Sequence, residues 1–309
     1  MICNAKTLPF GQGMYCQSPH AVDYGKFVRV FFTTREIDGQ NLYKSYPTYV
    51  DFSNDFKEIM AYGDYPLVTL GELGTFDEHG IFPFQPFSDK HGNLLATTTG
   101  WSRRVSTPTD SSIGILKSND LGNSFTRISN GPMMAPLHHD PFLVADGSVF
   151  YHENQYHMFY ISGERWIDGP ESKERVYKIR HAYSKDLREW NRDFVNIISD
   201  TIDQDECQAL PSVVKTENGW LMAFCFRHAI GFRSDVKKGY RIGWAESQDL
   251  VHWRRIDGEH TILTHSSNWD GDMQAYPNLF KNELGTFILY NGNSFGRDGF
   301  GLAKLKENL

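Results

Sequence analysis

The chain has few cysteines, no long apolar run, no block of like charge and no sustained helical period. Each lack removes a class of protein. Four cysteines in 309 residues (Cys3, Cys16, Cys207 and Cys225) show neither metal-ligand spacing nor a disulfide framework. No apolar run approaches the length of a membrane span, so no membrane partner is expected. The first residues lack a basic stretch followed by an apolar one. No secretory signal is therefore expected, and the expected compartment is the cytoplasm. Lys and Arg number 31 against 38 Asp and Glu, for a net charge of −7. Without a basic block there is no electrostatic footprint for nucleic acid. No Pro/Ser-rich linker or low-complexity tract divides the chain, so residues 1–309 are expected to form one domain.

What is present is a repeat. Ser53-Asn54-Asp55-Phe56, Ser118-Asn119-Asp120-Leu121, Ser184-Lys185-Asp186-Leu187 and Ser247-Gln248-Asp249-Leu250 follow one another at intervals of 65, 66 and 63 residues. Ser and Asp side chains bond to nearby backbone N–H groups, so Ser-x-Asp marks a turn between strands. A fixed period marks a repeat architecture. A short apolar strand precedes each copy, at residues 46–52, 113–117, 179–183 and 242–246. Residues 300–304 repeat that strand a fifth time.

Upstream, Pro19, Pro83, Pro141, Pro211 and Pro277 each open a second kind of strand. Each leads through a turn into a run rich in Tyr, Phe, Val and Thr, such as residues 27–33, 94–99 and 156–161. This gives five units of about four strands each, the strand count of propeller blades. The expected fold is all-β: a five-bladed β-propeller with four-stranded blades. The fifth unit ends after its third strand. Residues 3–9 are expected to supply its outer strand, closing the ring and removing a free edge.

The innermost strands of a propeller converge on its axis, so the residues at their starts are candidates for a site. Glu78, Glu206 and Asp272 each lie five residues before a unit's Pro, and Asp140 lies directly before Pro141. The first unit reads Gln17-Ser18-Pro19 and has no acid. Carboxylates gathered round one axis push each other's pKa values apart, which yields a protonated acid beside an ionised base. Glycoside hydrolysis needs such a pair across the scissile bond. Acids at strand starts also cap turns, so a structural role competes with the chemical one.

At this point the residues resemble known families. His139-Asp140-Pro141-Phe142, running into Tyr156-His157-Met158-Phe159-Tyr160, is similar to the Asp-Pro blade of glycoside hydrolase families 43 and 32. Glu206-Cys207 resembles the Glu-Cys-Pro motif of family 32, with Gln208 in place of the Pro. The resemblance implies a five-bladed propeller with Glu206 as general acid and Asp140 stabilising the transition state or orienting that acid. Both families place a catalytic Asp in the first blade, where this chain has Ser18. Glu78 or Asp272 would then take over, or the ordinary hydrolytic mechanism is absent. Family 130, which has the same propeller and includes mannoside phosphorylases, offers phosphate as the attacking group.

Phosphate would need basic residues, and they are present. Thr34-Arg35, Trp101-Ser102-Arg103-Arg104, Glu164-Arg165-Trp166 and Arg227-His228 follow the second strands of four units. Arg pairs bidentately with carboxylate or phosphate, and Trp stacks on a sugar ring. The expected sugar contacts are therefore Trp101, Arg103, Arg165 and Arg227, with His139, Gln208 and Ser18 at the strand starts. They suit a carbohydrate that is acidic or phosphorylated. No cofactor is expected, although Glu78 and Asp272 with waters could hold a divalent ion. The expected function is a glycoside hydrolase-like enzyme. The alternatives are a glycoside phosphorylase, a non-catalytic carbohydrate-binding propeller and a protein-interaction propeller.

Overall fold

The computed structural model describes residues 1–10, 15–258 and 269–306. A short strand β1 (Cys3–Asn4) comes first, followed by five antiparallel meanders. The first comprises β2 (Gln17–Asp23), β3 (Val28–Ile37), β4 (Tyr43–Phe52) and β5 (Ile59–Tyr62). The second comprises β6 (Gly80–Ser88), β7 (Leu94–Arg103), β8 (Thr109–Lys117) and β9 (Thr126–Arg127). The third is β10 (Val144–His152), β11 (Gln155–Asp168), β12 (Lys173–Ser184) and β13 (Asn191–Arg192). The fourth is β14 (Cys207–Thr216), β15 (Gly219–Arg227), β16 (Arg241–Ser247) and β17 (Trp253–Arg255). The fifth has three strands of its own, β18 (Ala275–Asn282), β19 (Gly285–Asn291) and β20 (Gly299–Lys304), and β1 pairs beside β20 with Cys3 opposite Phe300. Residues 5–7 leave that edge as a single 3-10 turn, so the edge strand is shorter than residues 3–9. The first two meanders are linked by one parallel pair, Ser45 with Gly80. Among the described residues, no helix is long and apolar enough to cross a membrane.

The apolar cores lie between neighbouring meanders. Phe31 and Tyr49 of the first pack with Phe84 and Ala96 of the second. Ile113 of the second packs with Val144 and Met158 of the third. Leu221 and Trp244 of the fourth pack with Leu279 and Ile288 of the fifth. Val30 and Phe32 of the first pack with Phe280 and Phe287 of the fifth. A sheet covered on both faces reads as a continuous apolar run and loses the one-in, one-out alternation. That is why seven successive residues of β3, from Val28 to Thr34, are buried. The first strands β2, β6, β10, β14 and β18 touch in turn, and β18 touches β2.

The Ser-x-Asp copies form the turns between third and fourth strands. The Ser184 hydroxyl accepts from the Leu187 N–H at 3.0 Å, and Ser247 accepts from Leu250 at 2.9 Å. The fourth residues, Phe56, Leu121, Leu187 and Leu250, have φ of 59°, 59°, 65° and 67°. A left-handed conformation is costly for such side chains, and the hydroxyl bonds offset it.

Two further features recur, and both bear on function. The first is a bulge in the first strand of every meander. The ladder slips between Gln17 and His20, Ile81 and Phe84, Ala145 and Ser148, Ala209 and Ser212, and Ala275 and Asn278. The first bulged residues are therefore Ser18, Phe82, Asp146, Leu210 and Tyr276. Four of them have positive φ: Ser18 at 55°, Asp146 at 57°, Leu210 at 49° and Tyr276 at 57°. A bulge re-aims a side chain, and bulges gather beside functional sites. This register corrects the expected alignment of the third unit. The counterpart of Pro19, Pro83, Pro211 and Pro277 is Gly147, not Pro141. A Cβ at Gly147 would come within 2.8 Å of the Met158 sulfur, which accounts for glycine there.

The second feature is a clasp. Arg127 on β9 bonds Asp77 (2.9 and 2.5 Å) and the Thr69 carbonyl (2.7 Å). Arg192 on β13 bonds Asp140 (3.0 Å) and the Ala135 carbonyl (2.8 Å). Arg255 on β17 bonds Glu206 (2.6 Å) and the Ser199 carbonyl (2.7 Å). In three successive meanders the fourth strand is thus tied to the loop that enters the first. The acids are 0–1% exposed. Breaking such a pair leaves an uncompensated buried charge, which costs about 3–5 kcal/mol. Glu206→Gln is therefore expected to lower stability by about 3 kcal/mol, read from urea unfolding monitored by tryptophan fluorescence. A midpoint equal to that of the parent would remove the structural role assigned to the clasp.

Candidate functional site

A cavity among the described residues opens where the meanders' first strands meet. Its volume is roughly 350 Å³, and every meander contributes to its wall. Four of the five bulge residues, Phe82, Asp146, Leu210 and Tyr276, line it. Asp146 is the one carboxylate-bearing side chain of the first-strand bulges. Its Oδ2 accepts from the Leu210 N–H at 3.1 Å, and its own N–H donates to the Thr99 hydroxyl at 2.7 Å. Burial pushes its carboxyl up to about 7, and the Leu210 N–H and the Arg175 charge only partly offset this. A carboxyl poised near neutrality can give up or accept a proton at working pH. No other aspartate or glutamate lines the cavity among the described residues.

Around this acid stand four arginines, Arg35, Arg175, Arg227 and Arg233, and several aromatic rings. Arg233 pairs with Glu174 at the rim. Arg175 donates to the Thr109 hydroxyl at 2.8 Å. Arg227 is 3% exposed, and its guanidinium lies 3.5 Å from the Phe232 ring centroid. It donates to the His228 carbonyl (2.7 Å) and to the Tyr177 hydroxyl (3.0 Å). Tyr177 and Tyr240 share a 2.6 Å hydrogen bond.

Of the residues expected from sequence, the structure brings Trp101 and Arg227 to this cavity. Asp140 and Glu206 are elsewhere, in the clasps. Asp140 also takes bonds from Arg180 (2.5 Å), Ser162 (2.6 Å) and Tyr160 (3.1 Å). Both oxygens of Glu206 are occupied, by the Thr201 and Ile202 N–H groups on one side and by Gln208 and Arg255 on the other. Burial raises its pKa, but the Thr201 N–H and the Arg255 charge more than offset this and hold it below the usual glutamate value. Gln208 is fully buried against Glu206 and Asp200. Ser18 sits on its bulge with its N–H donating to Asn291, away from the cavity wall.

The rest are dispersed. Glu78 accepts from the Gly74 N–H at 2.8 Å and lies 3.3 Å from His79. Asp272 is exposed, and its carbonyl accepts from Arg241. His139 is exposed, and its ring lies tilted against those of His138 and Phe194. Arg103 pairs with Asp38, and Arg165 pairs with Asp205. Among the described residues no three His, Cys, Asp or Glu side chains gather as a metal-binding set. Asp146 escapes the sequence pattern because the proline that marks the bulge elsewhere is a glycine here. A signal is nonetheless present: Ala145-Asp146-Gly147 matches Ala209-Leu210-Pro211 and Ala275-Tyr276-Pro277.

No family model matches the chain. It is 33% identical over 285 residues to the uncharacterized proteins MT1551 and Rv1502 of Mycobacterium tuberculosis, covering 92% of this chain and 89% of each relative. Several solved structures share its fold. One is a glycoside hydrolase (TM-score 0.73, 16% identity, 94% of this chain and 87% of that one). Another is a thermostable family-43 glycoside hydrolase (TM-score 0.65, 14% identity, 96% and 92%). A third is a β-1,2-mannobiose phosphorylase from Listeria innocua in complex with β-1,2-mannobiose (TM-score 0.68, 13% identity, 96% and 92%). With a third of its residues shared along nearly its whole length, the chain belongs to the family of the two mycobacterial proteins, on the propeller-type fold of the glycoside hydrolases of families 43 and 130.

Proposed function

We propose that this protein cleaves a glycosidic bond in the cavity, with Asp146 as the acid that protonates the leaving oxygen. The observation that carries this reading is Asp146 itself: a buried carboxyl held near neutrality at the bulge, in a cavity walled by aromatic and guanidinium groups. A site that only binds sugar has no need of a titrating buried acid. In the proposed step the Asp146 proton passes to the bridging oxygen, the bond from that oxygen to the anomeric carbon breaks, and an acceptor oxygen bonds that carbon. Hydrolysis in its two-carboxylate form needs a second acid to activate water. Asp146 has no such partner in the described wall, so an acceptor that is already charged, such as phosphate, suits the site better than water.

The five meanders are taken as the blades of a five-bladed propeller closed by β1 beside β20. The contact of β18 with β2 and the wall built from every meander support this. A pit walled on all sides admits a short oligosaccharide or a chain end, not the middle of a polymer. The excess of arginine suits a carbohydrate that is acidic or phosphorylated. All four cysteines are free thiols, which suits a cytoplasmic enzyme.

Asp146→Asn is expected to lower turnover of an aryl glycoside or disaccharide panel by about 100-fold or more, measured with and without inorganic phosphate. The parent's kcat/KM is expected to fall as pH rises through about 7, where Asp146 loses its proton. A carboxyl with a raised pKa favours the folded state in its protonated form. The thermal midpoint of Asp146→Asn should therefore equal or exceed that of the parent above pH 8, which separates loss of chemistry from loss of fold. Glu206→Gln, per folded molecule, is expected to stay within a few-fold of the parent. Full activity in Asp146→Asn, with activity lost in a folded Glu206→Gln, would return the acid role to Glu206.

A further inference from the structure

Most buried charges in this protein are paired. Arg29 meets Asp51, and the clasp arginines meet their acids. Two arginines of the cavity break that rule. Arg227 spends its Nη1 on the His228 and Ala229 carbonyls and its Nη2 on the Tyr177 hydroxyl, while its Nε, buried, has no partner. Arg35 Nε is likewise buried and without a partner. The Arg35 guanidinium lies 4.8 Å from the centroid of Tyr15 and 5.4 Å from that of Tyr43. Neither arginine has a carboxylate within ion-pair distance among the described residues. Both act electrostatically on one phenol, Tyr276, which stands on its bulge in the cavity wall.

An unpartnered buried N–H on a cation is costly, and the cost is removed by an anion that arrives with its own lone pairs. Guanidinium Nε–H groups suit the oxygens of a carboxylate or phosphate. Asp146 cannot serve both arginines, because it bonds Leu210 and titrates near neutrality.

We infer that Arg35 and Arg227, which share the cavity wall with Tyr276, form a seat for one oxyanion, a phosphate or a carboxylate group. The seat deepens the reading of the cavity as a glycoside site and rests on that reading for its role. The oxyanion is either a free acceptor or a charged substituent of the sugar, and both place the negative charge at the same donors.

Calorimetry on the full chain tests the seat without turnover, using inorganic phosphate, glucuronate and neutral glucose as probes. Either oxyanion is expected to bind the parent, and Arg35→Gln is expected to weaken it at least tenfold. Arg227→Gln is expected to do the same, and circular dichroism checks its fold because this residue is the more buried. Phosphate binding without glucuronate binding supports the seat and assigns a free acceptor. Glucuronate binding without phosphate binding supports it and assigns a charged sugar. Absence of both, or equal affinity in a folded Arg35→Gln, overturns it. Asp146→Asn should retain oxyanion binding. A seat that binds while no glycoside turns over would therefore leave the inference standing and sink the proposed function.

Discussion

One inserted residue in the first strand of each meander decides which side chains reach the cavity. Without the bulge, a first strand would place alternate residues into the cores on either side of its sheet, because both faces are covered by neighbours. The bulge takes one residue out of the ladder and turns it toward the cavity. Four of the five such residues line the cavity wall, and the chemical character of the site is their character: Phe82, Asp146, Leu210 and Tyr276. Positive φ at three of them is strain held in place by pairing on either side.

The acids divide by the same logic. Asp77, Asp140 and Glu206 recur because each closes the same clasp with an arginine on a fourth strand. A recurring charge in a repeat protein serves the repeat. Asp146 does not recur, and it is the one carboxylic acid among the bulge residues. Its neighbours explain its poise: burial opposes ionisation, and only one N–H and one guanidinium at a distance favour it. Glu206, with N–H groups on one oxygen and Arg255 on the other, is held on the opposite side of its ordinary range.

The fold was legible because its signals are local. Ser-x-Asp turns need only a few residues, and their spacing reports the period without any long-range information. The two-residue strands β9 and β13 and the short extent of β1 are harder to read, since they rest on contacts and not on pattern. For the site, Trp101 and Arg227 followed from position after a second strand. The acid did not. Aligning the third unit on Pro141 singles out Asp140, whereas the ladder register puts Asp146 on the bulge that lines the cavity. Proline marks a bulge by conformation, but glycine fills the same place when packing against Met158 leaves no room for a side chain. Acids do stand near a proline in several units, yet Asp140 and Glu206 are committed to clasps that only tertiary structure reveals.

A residue outside the ladder has no cross-strand partner to lose. Its identity can change while the pairing around it stays the same. The bulge positions thus act as sockets in a fixed frame, each able to carry an apolar ring, an aliphatic plug or an acid without asking the sheet to refold. Chemistry can be installed, removed or passed from one meander to the next by a single exchange, while the clasps and inter-sheet cores that hold the frame stay untouched. In a chain built by repetition, that separation lets one copy become reactive while the others remain scaffold.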